Sequence, residues 1–311
     1  MHIKTFRELN KKSAFEAGGK GASLGEMTNA KIPVPPGFVV LANAFDRFCE
    51  ETDLDVEIEA TLKKVNHKDI NSVEVASETI RALIKKAKMP KDIATEIMSH
   101  FKQLKAPFVA VRSSATAEDS SSAAWAGQLE TYLNTTEKDV LKNVQRCWSS
   151  LFTPRAIFYR IEKKMAKDKV SVAVVVQTMV QSEISGICFT VHPVTKDRNQ
   201  MVIEAGLGLG EAIVSGSVTP DTYIVHKDDF SILDINVSEQ TMAIYKVGNK
   251  NVDKKLSAKE GGQQKLTGKQ IVELAKICKN IEKHYKKPED IEWAYKGGKF
   301  YITQSRPITT L

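Results

Sequence analysis

At 311 residues, with a formal net charge of +7, the chain can bury a substantial core, more readily as two lobes than as one unit. Its Lys excess is scattered, as KKAK at 85–88 and KK at 163–164, 254–255 and 286–287, and only 7% of residues are aromatic, which argues against a nucleic-acid partner. Residues 1–10 lack the apolar core of a signal peptide, and the longest apolar run, Val170–Val176, is far too short to span a bilayer, so no membrane partner and a cytoplasmic location are expected.

In chain order, residues 1–30 read as a short lead segment and then a helix that starts just after Gly18-Gly19, and IPVPPGFVV at 32–40 as a proline-stiffened entry to a strand. Residues 41–104 are charged and helical, and Phe108–Val111 is a strand ending in Arg112. The stretch SSATAEDSSSAAWAG that follows is almost entirely small, so its backbone N–H groups can approach a ligand closely. Val140, Leu141, Val144, Cys147, Trp148, Leu151 and Phe152 form the apolar stripe of an amphipathic helix. Thr153-Pro154 starts another helix, with Thr as cap and Pro at the first position. Val170–Val176 reads as a buried strand; strands at Ile187–Thr190, Met201–Ala205 and Thr222–Val225, a helix around Ile271–Tyr285 and a closing hairpin complete an α+β second lobe. Cys49, Cys147, Cys188 and Cys278 are too far apart for a CxxC motif and are read as reduced core thiols.

Two phosphate-motif lookalikes fail. Ala14–Gly21 has Ala where a Walker loop needs its first Gly, and GLGLGE at 206–211 has Glu211 where GxGxxG needs its last. Lys20 nonetheless follows two glycines at a helix start, where its ammonium can join backbone donors around a phosphate. The guanidinium of Arg112 can hold phosphate oxygens bidentately; the alternative is an ion pair with Glu118 or Asp119.

Five strings in order, GGKGASLGEM at 18–27, VRSSATAEDS at 111–120, SGICFTVHPVT at 185–195, EAGLGLGEAIVSGSVTPDTYIV at 204–225 and DIEWAYKGGKFYITQSRP at 290–307, together resemble the ATP-binding domain of the phosphoenolpyruvate synthase and pyruvate phosphate dikinase family. The resemblance covers nearly the whole chain. It implies an ATP-grasp fold in which two α+β lobes, 1–178 and 179–311, clasp ATP with Mg²⁺. It departs from the synthase pattern at SSSAAWAG, where a Leu-Pro-Asp-like stretch and a Phe are usual, which leaves the subtype open.

The resemblance also assigns residues. Lys20, Arg112 and Arg306 are the catalytic cations. Thr116, Gly127, Gln177, Val180, Glu183 and Glu204 join Lys20, Arg112 and Arg306 around the nucleotide, with 177–180 as the hinge for adenine and Glu183 toward the ribose. The alternative for Gln177 and Glu183 is simple solvation, the commoner state of a Gln at a strand end, and for Gly206, Gly208 and Gly210 it is a tight turn alone, on equal terms. Glu292 and the Gln304 carbonyl offer hard oxygens to Mg²⁺, and Arg306 neutralises phosphoryl charge.

The family's swivelling domain, whose His accepts the phosphoryl group in a TGG…HAA context, and its pyruvate-binding barrel have no counterpart here. None of His2, His67, His100, His192, His226 and His284 lies in a carrier-like context. The implied activity is therefore the first half of a dikinase-type reaction, in which a phosphoryl or pyrophosphoryl group passes from ATP to a His on another domain or subunit and on to a small-molecule acceptor bound elsewhere. In the synthase branch the whole reaction converts pyruvate, ATP and water to phosphoenolpyruvate, AMP and phosphate. The alternatives are the ATP subunit of a split relative such as a phenylphosphate synthase, the ATP domain of a rifampin phosphotransferase, or a module that senses ATP without turnover.

The closing hairpin sets a geometric condition. Plain alternation puts Phe300, Ile302, Gln304 and Arg306 on one face. With a two-residue Gly297-Gly298 loop, however, Glu292 falls opposite Thr303 and Gln304 turns away. A three-residue loop with Gly298 left-handed pairs Glu292 with Ile302 instead. Joint metal binding by Glu292 and Gln304 demands that odd-length loop or a compensating bulge.

Overall fold

The computed structural model describes residues 1–116, 130–162, 171–248 and 250–309, and among these the chain is α+β. They form two compact units, one of Met1–Asn29 and Pro36–Met179, the other of Ala30–Pro35 and Val180–Leu311. The short 30–35 segment lies with the second unit, where the Ile302 N–H donates to the Pro33 carbonyl at 2.8 Å.

In the first unit the elements are β1 (Ile3–Thr5), α1 (Ala14–Asn29), β2 (Gly37–Val40), α2 (Ala42–Glu51), α3 (Leu54–Lys63), α4 (Ile70–Lys86), α5 (Lys91–Leu104), β3 (Val109–Ala115), β4 (Thr131–Thr135), α6 (Val140–Ser149), α7 (Pro154–Glu162) and β5 (Val172–Thr178). The strands form an antiparallel sheet in the order β1-β2-β5-β3-β4. Its central strand β5 is apolar from Val172 to Val176 and fully buried there, as a strand covered on both faces must be. Trp148 on α6 packs between Phe45 and Phe48 of α2, with ring centroids 5.8 and 4.9 Å away, and closes the helical layer. The α7 start has the expected cap, since the Ala156 N–H donates to Thr153 Oγ1 at 3.2 Å. Two expectations change. β3 continues through Ala115, so Arg112 lies inside the strand and not at its end. The first helix also has a turn before the glycines: α1 begins at Ala14, breaks at Gly18 (φ 67°, ψ 170°) and then resumes.

The second unit comprises β6 (Ile184–Phe189), β7 (Gln200–Leu207), α8 (Glu211–Val214), β8 (Asp221–His226), β9 (Ile232–Asn236), β10 (Met242–Val247), β11 (Lys250–Lys255), α9 (Ala258–Gly261), α10 (Gly268–Tyr285), β12 (Glu289–Lys296) and β13 (Lys299–Pro307). Its main sheet runs β13-β12-β6-β7-β8-β9, and β10 and β11 form a separate hairpin. One face of the main sheet, carrying Cys188, Ile203, Tyr223, Ile291 and Trp293, is buried under α10, whose own stripe is Ile271, Leu274, Cys278 and Ile281. α10 starts at a full capping box, with Thr267 and Gln270 exchanging hydrogen bonds. Gly186 lets β6 lie close to its neighbours: a Cβ there would meet the Glu204 carbonyl at 1.8 Å and the Trp293 ring at 2.7 Å. All four cysteines are buried, and among the described residues no helix is long and apolar enough to cross a membrane.

Candidate functional site

The closing hairpin meets the geometric condition through a bulge. Its loop has two residues, Gly297 and Gly298, at φ 56° and 78°, the positive pair that a tight hairpin turn requires. Tyr295 pairs with Phe300 and Trp293 with Ile302, after which the register shifts so that Glu292 stands opposite Gln304 and Asp290 opposite Arg306. Thr303 is the extra residue. The three-residue loop is thus absent, and the alternation expected for β13 is broken: Phe300 and Ile302 go to the α10 face at 3% and 0% exposure, Gln304 and Arg306 to the other.

That second face carries a row of side chains that is polar on three of its four strands. Gln304, Glu292, Ile187 and Glu204 are direct partners in successive strands β13, β12, β6 and β7. Glu292 and Gln304 are nearest neighbours, with Cα atoms about 5 Å apart, whereas Glu204 lies two strands from Glu292, about 10 Å away. In the next row Asp290 faces Arg306, and its Oδ2 accepts from Nε and lies 2.7 Å from Nη2, the Nε bond being 2.8 Å. Sequence reasoning did not assign Asp290 a role. Its signal was the antiparallel register, which pairs it with a residue sixteen positions away.

Burial pushes the Asp290 carboxyl above the usual carboxylate range, with the Arg306 guanidinium opposing the shift. Burial likewise raises Glu204, and the charge on Asp290 adds to it. A carboxyl whose folded value is raised contributes stability at pH below the ordinary range, and that contribution is lost as pH rises through the folded value. Glu204→Gln should therefore raise the melting temperature at pH 7, by roughly 2–4 °C if about 1 kcal/mol of charge burial is relieved. The gain should vanish near pH 3, where both proteins are neutral at this position, and calorimetry at the two pH values checks it.

At Gly208, in the glycine-rich turn after β7, packing alone demands glycine. Gly208 has φ 86°, a Cβ on it would sit 2.5 Å from the Ile244 carbonyl, and its own carbonyl accepts from Ser182 and Ser185 Oγ at 3.0 and 2.7 Å. Glu183 donates its N–H to the Tyr295 carbonyl, and its carboxylate Oε1 lies 2.8 Å from Lys296 Nζ. Val180 accepts from the Ser182 N–H at 3.0 Å.

In the first unit, pairing puts Gln177 opposite Ala110 and Val175 opposite Arg112, so Gln177, Arg112 and Ser114 share one sheet face. α1 packs on that face. Gly18 presses on Ser114 so closely that a Cβ would lie 2.4 Å from the Ser114 carbonyl, and the Gly21 N–H reaches Ser114 Oγ at 3.4 Å. The left-handed Gly18 therefore seats the resumed helix, with Lys20 in its first turn, on the strand that carries Arg112. Gln177 is 2% exposed. Thr116 ties β3 to the segment before β5, its N–H and hydroxyl both donating to the Ser171 carbonyl at 3.2 and 3.1 Å. Gly127, Glu118 and Asp119, with most of the small-residue loop, lie outside the described residues.

Residues 15–311 match the family model described as pyruvate phosphate dikinase, AMP/ATP-binding domain. The chain belongs to this family. It is similar to a probable phosphoenolpyruvate synthase of Methanocaldococcus jannaschii, 49% identical over 98% of this chain and 26% of the relative. Its identity to a probable phosphoenolpyruvate synthase of Archaeoglobus fulgidus is 44% over 100% of this chain and 42% of the relative. The rifampicin phosphotransferase of Bacillus subtilis is 40% identical over 98% of this chain and 35% of that protein. The chain thus spans less than half the length of these curated relatives. Membership in the pyruvate phosphate dikinase ATP-binding family carries an ATP-grasp-like fold with it, in agreement with the mixed helix and sheet of both units.

Among the described residues no group of three or more His, Cys, Asp or Glu is placed to hold a metal ion unaided. Mg²⁺ does not need one, since it is commonly held by one or two protein oxygens with substrate phosphates and water supplying the rest. The neighbouring oxygens of Glu292 and Gln304, on the face whose buried carboxyls resist carrying charge, fit that role.

The bulge is testable. Deleting Thr303 should remove the bulge and make Trp293–Ile302 and Glu292–Gln304 consecutive pairs, which keeps Gln304 and Arg306 on their face, so ATP-dependent transfer should fall by less than about tenfold; a loss of roughly 10²-fold or more would show that the bulge's own backbone geometry, and not the choice of face, positions them. Thr303→Val, which keeps the residue count, should stay within a few-fold of wild type in the same assay.

Proposed function

We propose that the chain binds Mg·ATP and performs the first half of a dikinase-type phosphotransfer, moving a phosphoryl or pyrophosphoryl group to a His on another domain or subunit. The observation that carries this reading is the bulge at Thr303, which sets Glu292, Gln304 and Arg306 on one face with Asp290 behind the arginine. Glu292 and Gln304 would hold the metal, whose chemistry is to neutralise phosphate charge. Arg306, oriented by Asp290, stabilises the group in flight. Lys20 at the start of a helix and Arg112 on β3 engage phosphate oxygens, and Thr116 and Gly127 belong to the same nucleotide-binding set. Gln177 and Val180 meet the adenine, Glu183 the ribose, and Glu204 the phosphate end. Catalysis on this reading consists of positioning and charge neutralisation, the terms that dominate phosphoryl transfer. The lobes are 1–178 and 179–311, the location cytoplasmic, and the small-molecule acceptor is bound elsewhere.

The likeness to a rifampicin phosphotransferase supports a second reading, in which the same half-reaction serves a different final acceptor. On either reading the chain alone should bind Mg·ATP and turn it over slowly. AMP and phosphate release, measured with and without an added His domain from a phosphoenolpyruvate synthase, tests this. Stimulation by the added domain is expected, and rapid AMP formation by the chain alone would overturn the need for a separate His.

A further inference from the structure

We infer that Lys296 is a positioning residue for nucleotide recognition: it aims the Glu183 carboxylate at the ribose diol. This rests on the ATP site proposed above and adds a residue, and a specificity, which that reading does not contain.

The geometry is local to the second unit. Glu183 immediately precedes β6, and because Ile184 pairs with Tyr295, Glu183 falls opposite Lys296 and projects from the same face. That is the face of Glu292 and Gln304. Lys296 lies four residues along β12 from Glu292, about 13 Å at strand rise, which is the scale on which the sugar and terminal phosphates of one nucleotide are separated. The Glu183 backbone is fixed on both sides, its N–H donating to the Tyr295 carbonyl and its carbonyl accepting from the Gly208 N–H, each at 2.9 Å. Lys296 Nζ then holds carboxylate Oε1 at 2.8 Å.

Both side chains are about half exposed, 49% and 50%. An exposed pair of this kind contributes little to stability, so the fold does not require it. A rigidly mounted carboxylate at a sheet end is suited to accept hydrogen bonds from two vicinal hydroxyls, the chemistry by which acidic residues read a ribose. The ammonium supplies what the backbone cannot, fixing the rotamer of a flexible side chain, and its hydrogen bond holds the Glu183 carboxyl below its usual range. Without Lys296 the carboxylate must be ordered by the ligand itself, and selectivity for the 2′-hydroxyl falls.

The test is equilibrium binding of Mg·ATP and Mg·2′-deoxy-ATP to the full chain, for wild type, Lys296→Met, Lys296→Arg and Glu183→Gln. Wild type should prefer ATP by about tenfold, the worth of one hydrogen bond to a charged group. The preference should fall toward unity in Lys296→Met and in Glu183→Gln, with affinity for 2′-deoxy-ATP, whose 3′-hydroxyl still meets the carboxylate, falling less than that for ATP, and Lys296→Arg should keep most of the preference. Lys296→Met should melt where wild type does. A preference retained in Lys296→Met, or absent from wild type that binds both nucleotides well, would overturn the inference and leave the ATP site standing. Wild type that binds neither nucleotide would overturn both.

Discussion

Arg306→Ala should slow phosphoryl transfer to a His domain by roughly 10²–10³, while the Mg·ATP dissociation constant changes only a few-fold. The reason is where its charge acts. A guanidinium that meets the phosphoryl group chiefly in flight stabilises the transition state more than the bound substrate, so its loss appears in turnover and not in ground-state affinity. Asp290 makes this division sharper. By accepting from Nε and pairing with Nη2, it holds the guanidinium in place before the reaction and removes the cost of ordering it. Asp290→Asn should therefore lower turnover in the same direction by a smaller factor, because the arginine remains but loses its charged anchor. Single-turnover transfer measured beside equilibrium ATP binding separates the two quantities. Near-normal transfer by Arg306→Ala would remove the arginine from the mechanism.

Lys265→Met should cost the second unit about 3–5 kcal/mol of stability, the usual penalty for removing one partner of a buried ion pair. Lys265 Nζ lies 2.9 Å from Asp221 Oδ1, and both side chains are wholly buried. The ammonium also donates to the Ser238 and Gly261 carbonyls at 2.6 and 2.7 Å, while Asp221 accepts from the Ser238 and Lys265 N–H groups and from the Tyr223 hydroxyl. These bonds join the start of β8 to the segments before β10 and after α9. Methionine leaves two carbonyls and a carboxylate buried without their cation. The exposed Lys63–Glu59 pair on α3 offers the contrast, since Lys63→Met should change stability by no more than about 0.5 kcal/mol. Urea unfolding of the two variants against wild type makes the comparison, and equal effects would show that the buried pair is dispensable.

Much of the site could be read from residues because its parts are local. Gly18 to Lys20 form a turn and a helix start within three positions, and Glu292, Gln304 and Arg306 sit on a hairpin whose Gly-Gly loop announces itself. The bulge at Thr303 could not be read directly. Phe300 through Arg306 alternates without interruption, and Thr is as good a strand former as its neighbours, so no side chain marks the slip. Only the demand that Glu292 and Gln304 share a face pointed to a bulge or an odd loop. The Asp290–Arg306 and Asp221–Lys265 pairs span 16 and 44 positions in sequence, and it is register and packing that bring them together, not spacing. The β10–β11 hairpin escaped notice for a different reason. β11 is exposed along its whole length and rich in Lys, so it lacks the alternation by which a half-buried strand is recognised.

Joint action of Glu292 and Gln304 on one metal is the step on which the proposed phosphotransfer turns most. Mn²⁺ affinity, followed by paramagnetic resonance in the presence of a non-hydrolysable ATP analogue, tests this with wild type, Glu292→Gln, Gln304→Ala and the double variant. Each single change should weaken Mn²⁺ binding about 10- to 100-fold, and the double variant should be little worse than either single one, as non-additivity at a shared site requires. Wild-type Mn²⁺ affinity in both single variants would contradict the claim that this face of the hairpin holds the metal.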